Sequence, residues 1–177
     1  MLRAQDQIRK LAAVTGVMLV AAAEALAQEN TVRPARRIVV SITDWKLAVI
    51  QADRVVKIFP TAVGAPASPS PVGVYKIVNS IPHPTWYYNG KIVGPGRNNP
   101  LGTRWLGLSI KGYGIHGTNV PSSIGHNASH GCVRMRNQDV EELFGMVSVG
   151  DPVEIYAGRT PELDQIFGEN TSAVAAQ

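Results

Sequence analysis

Arg37-Ile38-Val39-Val40-Ser41-Ile42-Thr43-Asp44-Trp45-Lys46-Leu47-Ala48-Val49-Ile50 sets the fold class. Residues 38–42 form a short apolar run rich in β-branched side chains, and residues 45–50 form another. Thr43-Asp44 between them has the composition of a turn, so the stretch reads as two strands folded back on each other. Residues 55–63 repeat the β-branched composition. Hairpin-sized units placed back to back predict a meander.

The pattern continues outward. Residues 64–71 are proline-rich and read as a loop; residues 72–81, with Val72, Val74, Ile77 and Val78, read as a strand. Residues 82–99 carry Trp86-Tyr87-Tyr88 and Gly94-Pro95-Gly96 and read as a long turn-rich loop, of the kind that often binds ligands. Strands are expected at 105–110, 113–116 and 153–156. One helix is expected after residue 136. Asn137 would cap it, Asp139, Glu141 and Glu142 suit its positive end, and Val140, Leu143, Phe144 and Val147 share a face. The expectation is a mostly β fold: a single, largely antiparallel, β-sandwich-type domain with one or two short helices packed on it. Residues 37–157 form that domain, and residues 158–177 read as a polar, alanine-rich, frayed C-terminal tail.

The other end reads differently. Arg3, Arg9 and Lys10 precede an apolar run over 11–23, and Ala25-Leu26-Ala27 follows. That order is the order of a secretory signal peptide over 1–27, with 28–36 as a leader into the domain. The alternative, a membrane anchor, is disfavoured because the run falls short of the roughly 20 residues that span a bilayer. No stable membrane span is expected after cleavage.

Composition bounds the function. The chain has 177 residues, 45% hydrophobic and 17% charged, as in an ordinary globular protein. Its net charge of +4 is compatible with an anionic partner such as a cell-wall polymer. The basic residues are scattered rather than clustered, so no nucleic acid partner is expected. There is 1 cysteine, Cys132. In an oxidising compartment an unpaired thiol is a tolerated buried residue, an intermolecular link or a group kept for chemistry.

Its neighbours favour chemistry. Of 4 histidines, His116, His126 and His130 lie close to Cys132 in sequence. Acyl transfer by a thiol needs a base to take its proton and donors to receive charge on the carbonyl oxygen. Gly131 permits close backbone approach beside the sulfur. His116, at the end of a predicted strand, and His130, two residues from the thiol, both remain candidate bases. A zinc set of His116, His130 and Cys132 is the competing arrangement, but it lacks paired cysteines; no metal and no cofactor are expected.

Ile115-His116-Gly117-Thr118, a spacer over 117–128, and Ser129-His130-Gly131-Cys132 together resemble the catalytic motif of the L,D-transpeptidases, the YkuD-like domain family. Asn99-Pro100-Leu101-Gly102, Arg104-Trp105-Leu106-Gly107-Leu108 and the segment 137–155 extend the resemblance, which covers roughly residues 37–156. It implies that Cys132 is the nucleophile, attacking a peptidoglycan stem peptide and releasing D-Ala to leave a thioester. It implies that His116 moves the proton, that the Gly117 carbonyl orients the imidazole, that His130 and Gly131 shape the turn and the oxyanion site, and that Ser129 is a supporting or substrate-binding residue. An amine on a second stem peptide, water (an L,D-carboxypeptidase), or a lysine of a wall-anchored protein would take the acyl group; the alternative outside catalysis is a cell-wall-binding module without turnover. The implied location is exported, in the periplasm or cell-wall space. The family motif commonly has Asn two residues after the cysteine, whereas this chain has Arg134. Arg134 would hold a substrate carboxylate, or else pair with Asp139 or Glu142.

Overall fold

An unbroken apolar run such as Ile38-Val39-Val40 needs cover on both sides of its sheet, because successive strand residues point in opposite directions. The computed structural model describes residues 36–168 and contains that cover. Strand β1 (Arg36–Ser41) pairs antiparallel with β2 (Lys46–Gln51), which pairs antiparallel with β3 (Arg54–Pro60). Ile38 and Val40 enter the main core with Leu47, Val49 and Phe59. Val39 points the other way, into a second cluster with Ala48 and Ile50.

The other strands are β4 (Val63–Gly64), β5 (Gly73–Pro82), β6 (Trp86–Tyr88), β7 (Lys91–Val93), β8 (Arg104–Leu108), β9 (Gly114–His116), β10 (Asn127–Ser129), β11 (Val133–Arg134) and β12 (Pro152–Tyr156). The principal sheet is 8-stranded, in the order β11-β9-β8-β5-β12-β1-β2-β3. β4 pairs with β10 and β6 with β7 as separate ribbons. Most neighbours are antiparallel, as expected, but β1–β12, β9–β11 and β4–β10 are parallel. Parallel neighbours need crossover connections. Helix α1 (Asn137–Met146) lies in the connection from β11 to β12 and packs Val140 and Leu143 on the main core.

Three local expectations change. Asn137 does not cap α1: the N-cap is Arg136, which makes no side-chain cap bond, and the Asn137 carboxamide is engaged elsewhere. The segment beyond Gly158 does not simply fray. It forms helix α2 (Pro161–Phe167), whose Leu163, Ile166 and Phe167 close the second cluster. Burying each such side chain contributes about 1.5–3 kcal/mol, which holds the helix down. The Thr160 hydroxyl caps α2 by accepting from the Leu163 N–H at 3.2 Å. Finally, residues 82–99 contain the β6–β7 hairpin, turned at Asn89 (φ 46) and Gly90 (φ 74). An Asn-Gly pair with both φ positive is the favoured two-residue hairpin turn.

The expected signal peptide (1–27), all but the last residue of the leader (28–36), and the end of the tail lie outside the described residues. No described helix is long and apolar enough to cross a membrane.

Candidate active site

β9 and β11 run side by side with Ile115 opposite Val133 and His116 opposite Arg134. Ile115 and Val133 are sealed in the main core. Strand alternation therefore sends His116 and Arg134 to the other face of the sheet, and Cys132 sits in the turn that leads directly into β11. The turn before β11 is built around the cysteine. Ser129 Oγ donates to the Cys132 carbonyl at 2.6 Å and accepts from the Gly131 N–H at 3.0 Å. Gly131 has φ +105, and a Cβ there would strike the Tyr113 ring at 2.6 Å, so only glycine fits. That backbone also breaks the extended run between His130 and Cys132.

His116 is 4% exposed. Its Nδ1 lies 2.6 Å from the Gly117 carbonyl oxygen. A carbonyl only accepts, so this contact puts the proton on Nδ1 and leaves the lone pair on Nε2. The Trp105 indole stacks on the same ring, centroids 5.7 Å apart. Burial pulls the His116 pKa down to about 4; the Gly117 bond opposes the shift, and the nearby Arg134 charge adds to it.

The Cys132 sulfur is partly buried and lies 3.7 Å from the Gly112 carbonyl oxygen. Burial pushes its thiol pKa up, while the Gly114 backbone and the Arg134 charge pull it back. Arg134 thus acts on both groups, favouring thiolate and disfavouring imidazolium. Its own pKa is lowered by burial, against which the Cys132 charge works. Burial thus favours the neutral form of both the thiol and the imidazole.

Arg134 does not take the salt bridges open to it. Asp139 lies 3.8 Å from Arg136, and Glu142 pairs with Lys57 at 2.7 Å. Arg134 Nε is buried without a hydrogen-bond partner among the described residues. His130 is exposed, with its ring 6.3 Å from that of Tyr88, so it meets the β6–β7 hairpin. His126 is exposed. Among the described residues, no three of His, Cys, Asp and Glu gather as metal ligands.

Two contributors escape a reading of the sequence. Trp105 touches His116 only because β8 and β9 pair in that register. Asn99, 0% exposed, donates through Nδ2 to the carbonyls of Pro84, Val93 and Gly94, clamping both legs of the hairpin. Neither contact has a local signature.

Comparison with known proteins identifies the domain that carries these residues. The YkuD family profile, described as the L,D-transpeptidase catalytic domain, matches residues 35–155. A putative L,D-transpeptidase YkuD of Bacillus licheniformis is 44% identical over 119 residues, 67% of this chain and 64% of that protein. The chain thus spans a little under two thirds of that relative. A solved Enterococcus faecium L,D-transpeptidase, a cysteine-to-serine mutant, superposes with a TM-score of 0.59 at 25% identity, covering 69% of this chain and 50% of the other. A second solved L,D-transpeptidase, in complex with imipenem, has a TM-score of 0.59 at 21% identity and covers 70% and 59% of the two chains. With its profile matched across most of the mostly β domain, the chain belongs to the YkuD family of L,D-transpeptidase catalytic domains.

Proposed function

We propose that this chain is a peptidoglycan L,D-transpeptidase in which Cys132 is the nucleophile and His116 the proton carrier. The observation that carries the reading is the β9–β11 register, which sets His116 opposite Arg134, two residues along the chain from Cys132. His116 Nε2 takes the thiol proton as sulfur bonds to the carbonyl carbon of the third stem-peptide residue. The imidazolium then gives that proton to the departing nitrogen, the C–N bond breaks, and D-Ala leaves a thioester behind. An acceptor amine attacks the thioester, surrenders a proton to Nε2, and forms an amide as the sulfur recovers its proton. No ATP is consumed, because one amide replaces another.

The supporting residues have distinct roles. The Gly117 carbonyl fixes the imidazole, and Ser129 and Gly131 hold the turn. The Gly131 N–H is already donated to Ser129, so the N–H of Cys132 itself is the better oxyanion donor. Arg134 stabilises the thiolate and, with its fork, suits a donor-peptide carboxylate. His130, against Tyr88, would contact the donor peptide from the side of the β6–β7 hairpin. The work is done in the periplasm or cell-wall space, where stem peptides are found.

Incubating the protein with tetrapeptide muropeptides and following products by mass spectrometry tests this. D-Ala release that disappears in Cys132→Ala supports it; equal release from that variant refutes it. Product masses also separate a second stem peptide, water and a protein lysine as acceptors.

A further inference from the structure

We propose that Asn137 is a positioning residue for His116, acting through the peptide unit that joins Gly117 to Thr118. The inference rests on the reading of His116 as proton carrier. The carbonyl of that unit faces His116 Nδ1 at 2.6 Å. The N–H of the same unit, on Thr118, donates to Asn137 Oδ1 at 3.1 Å. One amide plane therefore stands between the imidazole and the carboxamide, hydrogen-bonded at both ends. Bonds in such a chain polarise one another. Donation to Asn137 makes the Gly117 oxygen a stronger acceptor and holds it where only the Nδ1–H tautomer satisfies it.

The surroundings are shaped for this carboxamide. Thr103 also donates its N–H to Asn137 Oδ1, at 3.3 Å, so the oxygen ties the loop before β8 to the loop after β9. A Cβ on Gly102 or on Gly117 would run into Asn137 Oδ1. Gly102 also has φ +62, a conformation that side chains seldom adopt. Asn137 meanwhile leaves the N-terminus of α1 without a side-chain cap. The rigid end of a helix thus reaches, through one peptide, the ring nitrogen remote from the reacting proton. In function this corresponds to the acid that orients histidine in a Ser-His-Asp triad, with a neutral chain in its place.

The test reads the ring itself, by ¹⁵N NMR of the full chain, beside the rate of acylation by a tetrapeptide donor. In wild type the Nδ1–H tautomer is expected. In Asn137→Ala the Nε2–H form should become populated and acylation should slow by ~10- to 100-fold, with donor KM held within about threefold. Asn137→Asp keeps the acceptor oxygen and adds a negative charge suited to a helix N-terminus. It should restore the Nδ1–H tautomer and move the acid limb of the rate profile to higher pH. An unchanged tautomer in Asn137→Ala, with only a lowered Tm, overturns the proposal. Should the alanine variant not fold, the aspartate variant decides: an acid limb left in place overturns the proposal equally. Because the tautomer is read without turnover, a wild-type protein that releases no D-Ala would refute the functional reading while the ring measurement still judges Asn137.

Discussion

The indole of Trp105 lies against the imidazole of His116, with planes inclined by 24°. Trp105 is held in turn by Asn79, whose Oδ1 accepts from its Nε1 at 3.0 Å. Gly114 makes room, since a Cβ there would come within 2.6 Å of the indole. Trp105→Leu removes the plate that keeps the imidazole from swinging, and acylation should fall by ~10-fold. Trp105→Phe should retain most of the rate, and Gly114→Ala should resemble the leucine variant. Single-turnover rates with a tetrapeptide donor check the order.

Arg134 predicts a paired shift. Its charge lowers the pKa of both His116 and Cys132, so Arg134→Gln should raise both. The pH dependence of iodoacetamide alkylation reports the thiol and NMR titration reports the ring. Arg134→Lys should preserve both values while weakening donor binding, because an ammonium lacks the planar fork.

His116 also makes stability depend on pH. Between pH 6.5 and about 4 the unfolded chain binds a proton at residue 116 that the folded chain excludes. Stability from this source is whole above pH 6.5 and declines as the pH falls to about 4, a change of about 3 kcal/mol over the full window. His116→Gln should flatten that part of the profile, seen in denaturant midpoints at several pH values.

Asn99 predicts a local effect. Asn99→Ala withdraws the donor shared by Pro84, Val93 and Gly94. Leaving the buried Pro84 carbonyl unpaired costs about 1–3 kcal/mol, concentrated at the hairpin root. Amides of β6 and β7 should exchange faster in deuterium while those of β1 and β2 keep their rates.

Parts of this architecture are legible in the chain. The β-branched runs at 38–42 and 45–50 announce the first strands, and Ser129-His130-Gly131-Cys132 announces the turn. The continuous run Ile38-Val39-Val40 also required a second covering layer. Its source, α2, was signalled by Thr160-Pro161-Glu162, a capped helix start hidden in a segment of polar appearance. Asn89-Gly90 likewise marked the hairpin within residues 82–99. The contacts of Trp105, Asn99 and Asn137 were not legible by any local rule. Each depends on register or on loops brought together from distant parts of the chain, and a polar residue at a helix start reads first as a cap.

The central claim is that the thiol of Cys132 attacks an activated carbonyl in this site. Intact-mass spectrometry of the full chain after exposure to imipenem, followed by peptide mapping, tests it most directly. The account predicts one imipenem equivalent, located on the peptide that contains Cys132 and missing from Cys132→Ala. An adduct on another residue, or one of equal extent in Cys132→Ala, would contradict it.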